Sequence, residues 1–246
     1  MSTVIVITSG KGGTGKTSLT AGVGSCLAAL GKQVLCIDMD VGLRNLDLSL
    51  GLSDRALMDF TDVLSGRCTL ERAAVPHPVI QGLSLITAPV TLPRQPLSRE
   101  AMLELLRQAR ERYDFILMDS PAGLGEGFRL ACCGADRAVV VSTTDPAALR
   151  DAQRTVSLLW GNIPRIHLVV NRVQPRLMRQ LRTTIDDAMD AAGLPLLGIV
   201  PEDPQVLLCA NREQPLILHA SRGAATAYLN ISKRLLGQRV PLMRIR

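Results

Sequence analysis

No apolar run in this 246-residue chain approaches the ~18 residues that a membrane-spanning helix requires. Its start, Met1-Ser2-Thr3 followed by Val4 to Ile7, has neither a charged segment nor a long apolar core, so it does not read as a secretory signal. The six cysteines (Cys26, Cys36, Cys68, Cys132, Cys133 and Cys209) show no CxxC spacing. Without ligand-like spacing a metal or cluster site is disfavoured, and the thiols are expected as reduced core residues of a cytosolic protein. Internal repeats, low-complexity tracts and linker-like stretches are also missing. Acidic residues are absent after Glu213. The formal net charge is +6, and six cations (Arg222, Lys233, Arg234, Arg239, Arg244 and Arg246) lie beyond that point, leaving 22 basic and 22 acidic residues in 1–213. The body is neutral and one end is basic, which argues against a broadly nucleic-acid-binding surface.

The chain is 47% apolar and 20% charged, an ordinary globular composition. At this length roughly 70% of the unfolded surface is buried on folding. Short runs rich in Val, Ile and Leu occur at Val4–Thr8, Val34–Asp38, Leu83–Ala88, Phe115–Asp119, Ala138–Thr143, His167–Asn171 and Leu196–Val200. Continuous runs without strict alternation suit strands buried on both faces of a parallel sheet. Helical patterns lie between them, most clearly at Lys16–Leu30, Ser98–Arg112, Pro146–Leu159, Arg176–Ala192 and Ser221–Leu236. Ser98 is expected to cap its helix, with an acid in the first turn, and Gly237 followed by Pro241 stops the last helix. The alternation predicts a doubly wound α/β fold, a predominantly parallel sheet with helices on both faces. Residues 1–238 are expected to form one domain and 239–246 a basic tail.

The segment Gly10-Lys11-Gly12-Gly13-Thr14-Gly15-Lys16-Thr17 satisfies GxxxxGK[ST], with a strand candidate before it and a helix candidate after it. Glycines let successive backbone N–H groups turn toward phosphate oxygens, and the helix N-terminus adds a favourable dipole. Lys16 would place a point charge on the β- and γ-phosphates, and the Thr17 hydroxyl, followed by Ser18, would reach Mg2+. Lys11 is one of only four lysines and is not required by a plain phosphate loop. Asp38 and Asp40, two apart at the end of the second strand, would point into the ligand crevice while the chain stays extended; capping or surface charge is the alternative. Phe115–Asp119 is an apolar strand ending in an acid that can hold Mg2+.

KGGxGKT resembles the deviant Walker A motif of the ParA/MinD family of ATPases. Asp38-Met39-Asp40-Val41-Gly42-Leu43-Arg44-Asn45-Leu46-Asp47 is similar to switch I, and Asp119-Ser120-Pro121-Ala122-Gly123 to switch II, of the MinD branch. The likeness runs over about residues 3–237. It implies ATP hydrolysis with Mg2+ near Thr17, Asp38 and Asp119, Asp40 orienting the attacking water, and Lys11 reaching the phosphates of a second copy in an ATP-dependent homodimer. It also implies an adenine pocket at Asn171, Arg172 and the loop Pro201-Glu202-Asp203. The branch acts in septum placement, works with the partners MinC and MinE, and attaches peripherally to the inner face of the cytoplasmic membrane. That attachment normally uses a longer amphipathic C-terminal helix than the five residues following Pro241 here. Other members of the family, regulators of flagellar number or DNA-segregation ATPases, are the alternatives. DNA is the less favoured partner because residues 1–213 are neutral.

Overall fold

Eight strands lie side by side in the computed structural model, which describes residues 2–53, 55–91 and 97–243. They are β1 (Thr3–Thr8), β2 (Val34–Asp38), β3 (Val75–Pro76), β4 (Leu83–Ile86), β5 (Phe115–Asp119), β6 (Arg137–Ser142), β7 (Arg165–Val173) and β8 (Leu196–Pro201). Their order is β3-β4-β2-β5-β1-β6-β7-β8, parallel throughout except for the short antiparallel β3–β4 pair at one edge. The helices, in chain order, are α1 (Lys16–Ala29), α2 (Leu46–Leu50), α3 (Phe60–Leu64), α4 (Leu70–Ala73), α5 (Arg99–Arg110) and α6 (Glu126–Ala131). There follow α7 (Pro146–Leu159), α8 (Pro175–Leu181), α9 (Ile185–Ala192), α10 (Pro204–Asn211), α11 (Leu216–His219) and α12 (Ala224–Leu235).

Alternation along each strand sends neighbouring residues to opposite faces. Val4 and Val6 pack with Leu35, Ile37 and the α5 residues Met102, Leu105 and Leu106. Ile5 and Ile7 face the other way, into a layer built by Leu19, Val23 and Leu27 of α1 and by Tyr228, Ile231 and Leu235 of α12. Both faces are covered, which is why these strands carry unbroken apolar runs. On the second face α1 and α12 meet closely. A side chain at Gly22 would fall inside the Tyr228 ring, and one at Gly24 would sit 2.6 Å from Cys36 Sγ.

The helix expected over Arg176–Ala192 is two helices. Arg182 adopts a left-handed conformation (φ 52°) that ends α8, and Thr184 then starts α9 with a reciprocal capping box to Asp187. The Thr184 and Asp187 backbone N–H groups, which lose their helical partners at the break, are taken up by the two side chains of the box, so the break costs little and overrides helical periodicity. The last helix begins at Ala224, after the positive-φ Gly223, rather than at Ser221. Ser98 caps α5 as anticipated, accepting from the Ala101 N–H at 3.2 Å. Cys26, Cys36, Cys133 and Cys209 are buried, Cys68 and Cys132 partly so, and all six are free thiols. Arg244, Ile245 and Arg246 of the basic tail lie outside the described residues.

Candidate nucleotide-binding site

The loop Ser9–Gly15 leaves the C-terminal end of β1 and enters α1 at Lys16. Gly13 (φ 78°) and Gly15 (φ 91°) hold backbone conformations that L side chains rarely adopt. A side chain at Gly15 would also collide with the amide of Asn171, and one at Gly10 with the backbone of Asp151. No side chain caps α1, so the first-turn N–H groups, those of Lys16, Thr17 and Ser18 among them, stand at the loop with the positive end of the helix dipole. Lys16 is only 7% exposed; its Nζ donates to Ser9 Oγ at 3.0 Å, and Ser9 Oγ donates to the Lys11 carbonyl at 2.7 Å. Burial lowers the Lys16 pKa, against the opposing pull of Asp119 and Asp40. Thr14 Oγ1 is buried with no hydrogen-bond partner among the described residues.

The acids come from adjacent strands. Asp38 ends β2, Asp119 ends β5, and the parallel register sets the two directly opposite each other. Each is about 1% exposed. Burial pushes the Asp119 carboxyl up to about 7, helped by repulsion from Asp38 and restrained by the hydroxyls of Thr17 and Thr20 and by Lys16. Burial likewise pushes Asp38 up to about 6, against hydrogen bonds from the N–H groups of Asp40 (2.9 Å) and Leu46 (3.2 Å). Asp38 thereby also ties down the loop that leads into α2, where Arg44 (φ 41°) forms an ion pair with Asp47 at 2.9 Å. Asp40 lies beyond the strand, partly buried; burial raises its pKa and Lys16 lowers it. Two buried carboxylates facing each other beside a single lysine require another cation if both are to ionise. Among the described residues no three His, Cys, Asp or Glu side chains form a cage. Mg2+, which takes few protein ligands and keeps phosphate and water oxygens, fits such a donor set. Free N–H groups, an orphaned hydroxyl and a buried lysine at the loop fit the phosphates.

Asn171, near the end of β7, is buried against the loop, and its Nδ2 donates to the Thr14 carbonyl at 2.7 Å. Its Oδ1 remains open to a donor. Arg172 (φ 55°) pairs with Glu202 at 2.8 Å and reaches the Gly13 carbonyl at 3.5 Å, so it spans from the phosphate loop to the loop after β8. Pro201 closes β8. The Asp203 side chain accepts from Gln205 N and Ala224 N, both at 2.9 Å, and so caps α10 and α12 together. The structure thus gathers Gly10 to Ser18, Asp38, Asp40, Asp119, Asn171 and Arg172 at the C-terminal ends of the strands, with Glu202 joined to them through Arg172. Asp203 faces the helix starts instead.

Ser9, Thr20 and Asp145 were not legible as site residues. Thr20 Oγ1 lies 3.1 Å from Asp119 Oδ1, and Asp145, the N-cap of α7, holds Lys11 Nζ at 3.0 Å. Thr20 lies four residues after Lys16, hence on the same helix face, a spacing that could have marked it. Nothing in the sequence links Asp145 to Lys11.

A glycine-rich loop between a parallel strand and a helix, with acids at two neighbouring strand ends, defines a P-loop nucleotide-binding protein. Residues 5–216 match the model of the CobQ/CobB/MinD/ParA nucleotide binding domain. The septum site-determining protein MinD of Synechocystis sp. is 39% identical over 246 residues, covering 99% of this chain and 92% of that protein. MinD from an Aquifex aeolicus MinC:MinD complex superimposes with a TM-score of 0.92 at 38% identity, covering 99% of each chain. MinD from Pyrococcus horikoshii with Mg-ADP gives 0.84 at 28% identity, covering 96% of each. The chain belongs to the MinD septum site-determining branch of the MinD/ParA family.

Proposed function

We propose that this chain is an ATPase that governs septum placement by forming an ATP-dependent homodimer. The observation that carries this reading is the buried Lys16 at the uncapped start of α1, facing Asp119 and Asp40 while Lys11 stays half-exposed on the outer side of the same loop. Lys16 and the first-turn N–H groups of α1 hold the phosphates. Thr17, Asp38 and Asp119 would hold Mg2+, which would supply neutralisation of phosphate charge. Asp40, at the edge of the pocket, orients the attacking water, and Lys11 engages the phosphates of a second copy. Asn171 offers Oδ1, and the loop Pro201–Asp203 its backbone, to the adenine. By kinship with the solved MinC:MinD complex, the dimer presents a surface for MinC; MinE and the inner face of the cytoplasmic membrane complete the cycle. Among the described residues no helix is long and apolar enough to cross a membrane. Residues 1–238 act as one ATPase unit.

Lys16→Ala is expected to abolish ATP binding in a titration; undiminished affinity refutes the site. Lys11→Ala is expected to bind ATP as a monomer in sedimentation, and a normal ATP dimer removes its role across the interface. Asp40→Ala should dimerise and fail to turn over.

A further inference from the structure

Thr20 sits in the second turn of α1 and is completely buried, beside the equally buried carboxyl group that ends β5. A threonine inside a helix commonly gives its proton to the carbonyl four residues back, and Thr20 Oγ1 does lie 3.0 Å from the Lys16 carbonyl. A second acceptor, Asp119 Oδ1, stands 3.1 Å away and 99 residues further along the chain. The hydroxyl has one proton for the two of them, and an ionised acceptor holds a proton donor more strongly than a neutral one. Whenever Asp119 is ionised the hydroxyl therefore turns to it, and the Lys16 carbonyl keeps the helical N–H of Thr20.

Sheet pairing fixes where Asp119 stands. It lies opposite Ile7 of β1 on one side and Asp38 of β2 on the other, and its carbonyl accepts from the Met39 N–H at 3.0 Å. None of this sets the plane of its carboxyl group, because the terminal torsion of an aspartate is soft. Thr20 is 0% and Asp119 1% exposed, so bulk water does not set that plane either. What remains is α1. Thr17 lies three residues before Thr20 and hence on the same helix face, and both hydroxyls favour the ionised form of Asp119 against its burial. Helix propensity and burial would both be served better by an aliphatic side chain at position 20.

We infer that Thr20 is a positioning residue for the cation site, its hydroxyl holding Oδ1 of Asp119 so that Oδ2 is the oxygen offered to Mg2+. It rests on the reading of Asp119 as a Mg2+ ligand and adds to it a residue that would touch neither cation nor nucleotide. Valine has nearly the shape of threonine and lacks the proton. It would leave Oδ1 unpaired where no solvent replaces the bond, and the carboxylate free to turn.

The test is a Mg2+ titration of the full chain at a fixed concentration of a fluorescent ATP analogue, with the affinity for that analogue in EDTA measured separately. Thr20→Val should raise the Mg2+ concentration at the midpoint about tenfold or more, the cost of removing the hydrogen-bond partner of a metal-ligating carboxylate. Its affinity in EDTA should match the parent. Thr20→Ser keeps the proton and should restore the parent midpoint. Should the valine variant not fold, Thr20→Ala makes the same test without a methyl group against the carboxylate. Ser232→Ala removes another fully buried hydroxyl from the surroundings of α1, 3.3 Å from the Val23 carbonyl. It should lower the unfolding midpoint and leave the Mg2+ midpoint in place. If nucleotide binding by the parent is indifferent to Mg2+, the reading of Asp119 fails and the inference with it. If the parent responds to Mg2+ and Thr20→Val has the same midpoint, the positioning role alone is refuted. It is refuted equally if Thr20→Val weakens binding as much in EDTA, if Thr20→Ser does not restore the midpoint, or if Ser232→Ala shifts it as far.

Discussion

Gly22→Ala is a substitution whose sign the helix and the fold decide differently. Gly22 lies inside α1, where alanine is favoured over glycine by about 1 kcal/mol on helix propensity. In the folded chain the new Cβ would penetrate the Tyr228 ring, lying 2.5 Å from Cε2 and 2.6 Å from Cγ. Tyr228 is 1% exposed, so its ring has no solvent to swing into. Relief must come from moving α1 away from α12, which opens the second core layer. Overpacking of this kind costs about 1–3 kcal/mol and here involves rigid ring atoms, so we take the upper end. The expected net effect is a loss of about 1–2 kcal/mol. Urea denaturation should show a lower midpoint with an unchanged slope, the mark of a stability change without a change in exposed surface. Stability equal to or above that of the parent would refute the close α1–α12 packing. Because α1 presents the phosphate loop, nucleotide affinity of the folded fraction is a second readout, expected to fall with the helix shift.

Asn171→Asp keeps size and replaces the donor that holds the Thr14 carbonyl by an acceptor. It should cost at least about 2 kcal/mol in denaturation and weaken nucleotide binding; a neutral effect would remove Asn171 from the loop's support. Asp119 has a folded pKa of about 7, above its unfolded value, so its contribution to stability is complete at low pH and is lost as pH rises through about 7. The nucleotide-free protein should therefore melt lower at pH 8 than at pH 6, and Asp119→Asn should gain stability at pH 8, by about 2–4 kcal/mol, while losing Mg2+-dependent nucleotide binding. A pH-independent melting difference between the two proteins would contradict the buried-carboxylate account. Gly15→Ala, strained at φ 91° and blocked by the Asn171 amide, should abolish nucleotide binding in the same titration used for Lys16.

Local chemistry was readable where it is local. The phosphate loop needs glycine conformations and a lysine at fixed spacing, and the strands need unbroken apolar runs because both faces are covered; both demands are written in consecutive residues. The helix break at Arg182–Thr184 was missed because a capping box competes with periodicity over only a few residues. The two-residue β3 carries too short a pattern to register. Ser9 and Thr20 passed as ordinary hydroxyls, since their roles depend on how near Lys16 and Asp119 come.

By itself the sequence determined the alternation of strand and helix, the nucleotide loop, the acids at strand ends and the confinement of excess charge to one end. Only the tertiary structure decided that Asp38 faces Asp119, that Asn171 closes on Thr14 from 157 residues away, and that Thr20 meets Asp119. The reason is range. Backbone preference and side-chain period act within a turn or two of the chain, whereas these pairings follow from sheet order and register, which are set by packing the whole core at once.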